Sequence, residues 1–391
     1  MPTVRRSILR IVFVKRCDKD RYKWIKHYSV FGGFEMPSEK AMVYAPVTIP
    51  TLCRDKHFIR CIESLRRNPW AKYTEIYIGL DYPAKEEHWE GYRKISAYLE
   101  QSFPEFKAVH VYRREENVGA VMNSRFLREE AEKNYDRYIF MEDDLEASPN
   151  FLEYMDKSLK EFEDNPDVIA VTGYSYPLPW KIAENCTVVK QDFNGSVWGC
   201  GFWLNKRERL QHYLQTNGLA KDFAFAYKSG RLHNMIDFAV KDYVNLCENG
   251  WSGKTGFLNR ATDIALRIYL GVHHSYFIMP SSSKIRNHGY DGSGLYCQRI
   301  EGSTHGEYCV ENYRFSDQVI DESDHFTLVE DKEFDLPVNR ELLNKFDRVP
   351  PETMGTVWEK AERIARRGRY GGALVSGKKV LKALQKKISL Q

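Results

Sequence analysis

Residues 137–146 read RYIFMEDDLE: an apolar run over 137–141 stops abruptly in three consecutive carboxylates, Glu142, Asp143 and Asp144. A short apolar run cut off by a charged turn is the pattern of a buried strand that ends where the charges begin. Working outward, the same alternation recurs. Upstream, apolar runs at 41–49, 75–80 and 106–112 each precede a stretch of helical periodicity. The first helix is marked by Phe58, Ile59, Ile62 and Leu65, and the second by Tyr92, Ile95 and Leu99; the third opens at Asn117-Val118-Gly119 and reaches Glu132. Downstream, a helix over about 150–163 leads into a fifth run, 168–172. Strands alternating with helices predict an α/β fold, a Rossmann-like, mostly parallel sheet flanked by helices. Ligands bind such sheets beyond the carboxyl ends of the strands. Arg54, Asp81, Asn117 and the three acids all follow directly on a strand, so they are expected to face one crevice.

After Tyr174 the pattern turns irregular and rich in Trp, Gly and Asn, as where loops shape a binding site. Helices are expected over 206–216 and 260–270, followed by a Gly-rich segment, NHGYDGSG, at 287–294. Residues 301–358 carry little pattern, and the stretch 359–391 is a basic extension with Val380, Leu381, Leu384 and Ile388 at helical spacing.

A chain of 391 residues, 42% hydrophobic and 29% charged, has material for a sizeable core. No stretch approaches the roughly 20 apolar residues that cross a bilayer, since the run at 8–14 is broken by Arg10. The first 26 residues do not read as a cleavable signal, so a cytoplasmic address is expected. The cysteines, at 17, 53, 61, 186, 200, 247, 297 and 309, form no CxxC pair and no zinc-like cluster with histidine. Charge is polarised: residues 1–26 carry nine Lys/Arg against two Asp, and residues 359–391 ten Lys/Arg against two Glu, while the net charge is only +4. An acidic body between basic ends is not the footprint of a nucleic-acid-binding surface; it suits docking on an anionic membrane by the termini.

Three adjacent carboxylates repel one another, so a fold that gathers them needs a compensating positive charge. A hard divalent cation, Mn or Mg, is a natural candidate, because carboxylate oxygens suit it and it keeps positions open for phosphate oxygens. The bland alternative is an acidic turn that caps the next helix. The segment Val197-Trp198-Gly199-Cys200-Gly201-Phe202-Trp203 offers flat aromatic faces and close backbone approach, which suit a sugar ring, although core packing also claims large aromatics.

The strand and turn at 137–146, followed by a proline and the helix-like FLEYM at 151–155, resemble the acidic motif of GT-A glycosyltransferases, in particular the N-acetylglucosaminyltransferase I group. The polar turn at Arg54, the strand ending in Asp81, the opening at Asn117 and the segment 287–294 are similar to that group and to related bacterial family 2-like sugar transferases. The resemblance implies a nucleotide-sugar-binding half at 41–175 and an acceptor-binding half at 176–300, between a basic segment at 1–40 and a C-terminal region at 301–391. It implies that Asp144 ligates the cation, Asp143 contacts the sugar or ribose and can share the metal, and Glu142 supports the site. It also implies that Arg54 reaches the nucleotide, Asp81 and Asn117 lie by it, and Trp198, Gly199 and Trp203 face the acceptor. His288 is expected as a further metal ligand. For the base of an inverting transfer the choice is Asp263, an acid opening a helix before the Gly-rich segment, with Asp237 in reserve. The implied donor is a UDP-sugar and the acceptor a carbohydrate or lipid-linked saccharide, in bacterial surface polysaccharide synthesis at the inner face of the plasma membrane. Two other readings stay open: a nucleotidyltransferase, which would favour a Gly-rich basic loop after the first strand that PVTIPTLCR lacks, and a non-catalytic sugar-binding protein.

Overall fold

The computed structural model describes residues 12–14, 25–27, 41–216, 218–248, 262–294, 318–346 and 349–367. Two compact units divide the chain, 1–42 and 43–391. In the first, β1 (Val12–Val14) pairs antiparallel with β2 (Ile25–His27). The second contains the elements read from the sequence.

Its first strand, β3 (Val47–Thr51), starts later than the apolar run at 41 suggests. The reason is local: the Ala45 N–H is bound by the Asp156 carboxylate at 2.9 Å, and Pro46 has no N–H to give to a ladder. Then come α1 (Asp55–Arg66), β4 (Glu75–Leu80), α2 (His88–Tyr98), β5 (Ala108–Arg113) and α3 (Gly119–Glu132). The quoted stretch forms β6 (Arg137–Phe140), the acidic turn and the short β7 (Leu145–Ala147), leading into α4 (Phe151–Glu161) and β8 (Val168–Thr172). Parallel pairing joins β6 to β3, β3 to β4 and β4 to β5. This side of the sheet is the predicted one.

The later half adds strands that periodicity did not expose. These are β9 (Val188–Gln191), β10 (Cys200–Trp203), β11 (Tyr276–Pro280), β12 (Ile285–Asn287) and β13 (Glu330–Asp331). Among the described residues all of these but β12, which pairs with β7, extend one sheet to nine strands, in the order β13-β9-β11-β8-β10-β6-β3-β4-β5. Strand β10 runs antiparallel between β6 and β8, and β9 antiparallel to β11; the other five pairings are parallel. The fold is therefore the expected mixed α/β class with a mostly parallel sheet.

Strand periodicity sorts the core into two layers. Ile76, Ile78 and Ile139 point to one face, packing with Ile62 and Leu65 of α1, Ile95 of α2 and Leu152 and Met155 of α4. Tyr77 and Tyr138 point to the other, with Leu127 of α3, Leu210 of α5 (Leu204–Gln215) and Leu266 and Leu270 of α8 (Thr262–His273). A third cluster is helical: α6 (Gly218–Lys228), α7 (Asp237–Glu248) and α10 (Pro351–Arg367) bury Phe223, Tyr243, Val357 and Ala361 together, and Leu343 of α9 (Leu336–Phe346) joins them. The apolar positions at 380–388 and residues 301–317 lie outside the described residues.

Two buried charges make testable contributions to stability. Lys206, 4% exposed, donates to the carbonyls of Phe162 (3.0 Å), Asn165 (2.9 Å) and Val168 (2.8 Å), closing the loop after α4. Lys206→Met fills similar volume but orphans all three acceptors, so it should cost about 3 kcal/mol in urea unfolding while leaving ligand binding intact. Glu75 accepts from Lys107 (2.9 Å) and lies 3.0 Å from His110 Nε2. Burial alone would raise its pKa, but Lys107 and His110 outweigh that and hold it near 2. A carboxylate depressed in the folded state stabilises above its ordinary value and loses that as pH falls. Stability should therefore drop between about pH 4.5 and 2 by up to about 3 kcal/mol, and Glu75→Gln should flatten this limb in acid denaturation.

Candidate active site

The carboxyl ends of β3 and β6 lie side by side, which brings the turn after each into contact. Arg54, following β3, reaches across to the acidic turn: Nη2 bonds Asp143 Oδ1, and Nη1 lies 2.8 Å from Asp144 Oδ2. The Thr51 hydroxyl donates to the other Asp143 oxygen at 2.8 Å. The positive charge that three adjacent acids require is thus supplied by a guanidinium. Burial acting alone would lower the pKa of Arg54, but the paired acids raise it above its ordinary value. Burial also raises Asp143, against the pull of Arg54. Glu142, without such a partner, is pushed up to about 8, by burial first and then by the charge of Asp144, with Asp143 and Asp263 adding to it.

One strand further, Asp81 is 3% exposed and organises the start of α3. Its carboxylate accepts the backbone N–H of Val118 (3.0 Å) and Gly119 (2.8 Å) and the side-chain amide of Asn117 (3.2 Å), whose N–H also reaches the Tyr82 carbonyl at 2.6 Å. Gly119 has φ +78, a left-handed conformation that suits glycine. Thr51 couples the two groups, because its carbonyl accepts the Asp81 N–H at 2.9 Å. Arg54, Asp81, Asn117 and the acidic turn do share one edge of the sheet.

The Gly-rich segment arrives through a two-stranded ribbon. Strand β12 pairs antiparallel with β7, Asn287 opposite Leu145, and the His288 N–H donates to the Asp144 carbonyl at 2.9 Å. Gly289 passes so close that a Cβ there would lie 2.1 Å from Asp144 Oδ2, so this position needs a residue without a side chain. The ring of His288, expected as a metal ligand, has its Nε2 2.8 Å from Glu146 Oε2. This contact and Arg286 at 3.2 Å hold the Glu146 pKa near 2 despite burial. His57 Nε2 lies 3.2 Å from the His288 carbonyl and 3.1 Å from Asp291 Oδ2, tying α1 to the same loop.

On the opposite flank, Trp198 stands edge-on to Tyr174 (4.6 Å between centroids) and to Tyr290 (5.9 Å) of the Gly-rich segment. Gly199, with φ +57, packs where a Cβ would meet Ile285 at 2.7 Å. Trp203 corrects an expectation. It is 2% exposed, its indole N–H donates to the Leu159 carbonyl at 3.1 Å, and it pairs with Arg137 at the far end of β6, away from the acids. A core residue at that end of the sheet cannot meet an acceptor beside the acidic turn. Asp263 sits in the first turn of α8, close enough for its charge to act on Glu142. Asp237, which opens α7, gives its N–H to the Asn344 side chain at 3.0 Å.

Does the donor set suit a divalent cation? Both Asp143 oxygens are taken, by Thr51 and Arg54, so Asp143 is not free to share a metal in this arrangement. Asp144 Oδ1, by contrast, is a buried oxygen without a hydrogen-bond partner. Among the described residues no three His, Cys, Asp or Glu side chains cluster so as to hold a metal by themselves. The residues therefore fit a cation held by one carboxylate, with phosphate and water oxygens completing its shell, as magnesium commonly is.

Sequence reasoning missed Thr51, His57, Glu146 and Asp291. Glu146 lies in β7, directly after the acidic turn.

No known protein family and no curated protein matches the chain. Among solved structures it is similar to S. aureus TarS 1-349, at 14% identity over 41% of this chain and 47% of that one, with a TM-score of 0.28. For TarS 1-349 in complex with UDP-GlcNAc the values are 15%, 37%, 39% and 0.28. It is also similar to the mannosyltransferase PcManGT from Pyrobaculum calidifontis in complex with GDP-Man and Mn2+, at 14% identity over 45% and 48% of the two chains and a TM-score of 0.31. The chain spans less than half the length of each of these three structures.

Proposed function

We propose that this chain is a cation-assisted glycosyltransferase, moving a sugar from a nucleoside diphosphate carrier, a UDP-sugar, to a carbohydrate acceptor with inversion at the anomeric carbon. The observation that carries the reading is the bridge from Arg54 to Asp143 and Asp144 at the ends of adjacent parallel strands, with Asp144 Oδ1 unpartnered. A guanidinium and an unpartnered carboxylate oxygen are groups suited to hold a diphosphate and its counter-ion. A bound Mn or Mg ion would be held by Asp144 and offset the charge that builds on the leaving diphosphate.

Arg54 binds diphosphate oxygens through its planar fork, and Asp143, oriented by Thr51, accepts from a sugar or ribose hydroxyl. The clasp of Asp81 on Asn117, Val118 and Gly119 shapes the wall for the nucleoside. Trp198 and Gly199 line the acceptor side. Asp263 removes the acceptor hydroxyl proton as that oxygen attacks; what supports it is a carboxylate near Glu142 but outside the Arg54 bridge. The membrane-associated setting and the lipid-linked acceptor rest on the two basic ends of the chain. No helix of the described residues is long and apolar enough to cross a membrane.

The test is release of UDP from a panel of UDP-sugars in the presence of oligosaccharide acceptors, with and without Mn2+. Acceptor-dependent release that stops in excess EDTA is the expected result. Full activity in EDTA would remove the cation from the reading. Pyrophosphate production from a nucleoside triphosphate and a sugar phosphate would favour the nucleotidyltransferase. Thermal stabilisation by UDP-sugars without turnover would mark a non-catalytic binder.

A further inference from the structure

The bridge that offsets the charge of the acids also obstructs a cation. Arg54 Nη1 sits 2.8 Å from Asp144 Oδ2, on the carboxylate whose other oxygen is buried and without a hydrogen-bond partner. A divalent ion arriving there meets a fixed positive charge a few ångströms away, in a partly buried setting where screening is weak. We propose that Arg54 makes cation uptake conditional on a diphosphate: it offsets part of the acids' charge in the empty site and releases Asp144 only when phosphate oxygens take its guanidinium.

Three observations support an exchange of this kind. The Arg54 side chain is 22% exposed, against 8% for Asp143 and 11% for Asp144, so it is the member of the trio most open to an incoming anion. Thr51 stays on Asp143 at 2.8 Å, so that acid keeps a donor when the guanidinium leaves. A diphosphate offers the same paired-oxygen geometry as the two carboxylates, which lets the planar fork transfer from one to the other. Selectivity follows from this: the cation and the diphosphate load together, and a bare divalent ion is held weakly. The inference rests on the reading of the site as a cation-assisted nucleotide-sugar site, and it is read out by binding alone.

The experiment is a Mn2+ titration followed by electron paramagnetic resonance on the full chain, with and without UDP. It compares the wild type with Arg54→Gln, Arg54→Lys and the double variant Arg54→Gln/Asp144→Asn. Without nucleotide, Arg54→Gln should bind Mn2+ at least about tenfold tighter than the wild type, and the double variant should lose that gain. UDP should strengthen Mn2+ binding to the wild type much more than to Arg54→Gln. Should the Gln variant fail to fold, Arg54→Lys decides the matter. A single ammonium cannot span both carboxylates, so Mn2+ should bind at least about threefold tighter than to the wild type. If the substituted proteins bind bare Mn2+ no tighter than the wild type while UDP still recruits Mn2+ to it, the conditional mechanism is wrong and the site reading stands. If the wild type takes up neither Mn2+ nor UDP in any combination, both fall.

Discussion

Asp144→Asn should lower sugar transfer by about 10³-fold while leaving the unfolding midpoint in the absence of ligand nearly unchanged. The magnitude follows from what the substitution removes: the one carboxylate oxygen in the acidic turn that is buried and unpartnered, at the point where leaving-group charge must be offset. The amide keeps the shape beside Gly289 but not the charge. Because Arg54 retains Asp143, the fold should tolerate the change. The accompanying readout is thermal: UDP and Mn2+ at 100 times the dissociation constant should stabilise the wild type by about 2.7 kcal/mol and the variant hardly at all. A variant that kept transfer within about tenfold of wild type would take Asp144 out of the mechanism.

Asp263→Asn is expected to reduce turnover by about 10²- to 10⁴-fold with donor binding almost unaltered, the pattern left when a general base is lost. The acids of the 142–144 turn are poorly suited to act as that base. Asp143 and Asp144 are tied to Arg54, and Glu142 stands in the same crowded turn, where burial and the charge of Asp144 raise its pKa. Asp263 stands outside that network, and its charge reaches Glu142. Its position at the start of α8 also serves the helix dipole, so a purely structural role predicts lower stability with intact turnover. Measuring kcat and KM alongside the melting temperature separates the two roles. If Asp263→Asn stays within about threefold of wild type while Asp237→Asn loses activity, the base is Asp237.

The first half of the sheet was legible in the sequence because β3, β4, β6 and β8 are largely buried on both faces and therefore read as apolar runs. Val168–Thr172 and Glu75–Leu80 fall where the pattern puts them, and the acids end β6 within a residue. The later half was not legible for two reasons. Strands such as Cys200–Trp203 and Val188–Gln191 are four residues long, too short to show a period, and α6, α7 and α10 bury their apolar faces against one another rather than on the sheet. The misreading of Trp203 has the same origin: an aromatic in an unrecognised strand looks like an aromatic in a loop. The contact of His288 with Glu146 was not legible because the two are 142 residues apart, a pairing that no local motif reveals.

The ribbon of β7 and β12 has a consequence for how the protein is made. Asp144 receives its backbone partner and its close neighbour from His288 and Gly289, which leave the ribosome long after the acids themselves. The sheet from β3 to β6 has its parallel neighbours in hand once residue 140 has emerged, so the strand ends that carry Arg54 and Asp81 can assemble early. The wall beside Asp144 cannot. It depends on a loop closure spanning nearly 150 residues, a contact of high sequence separation that forms late and slowly. A nascent or truncated chain ending before residue 285 would display the acids and Arg54 without this wall, so the site reaches its finished geometry only as one of the last steps of folding.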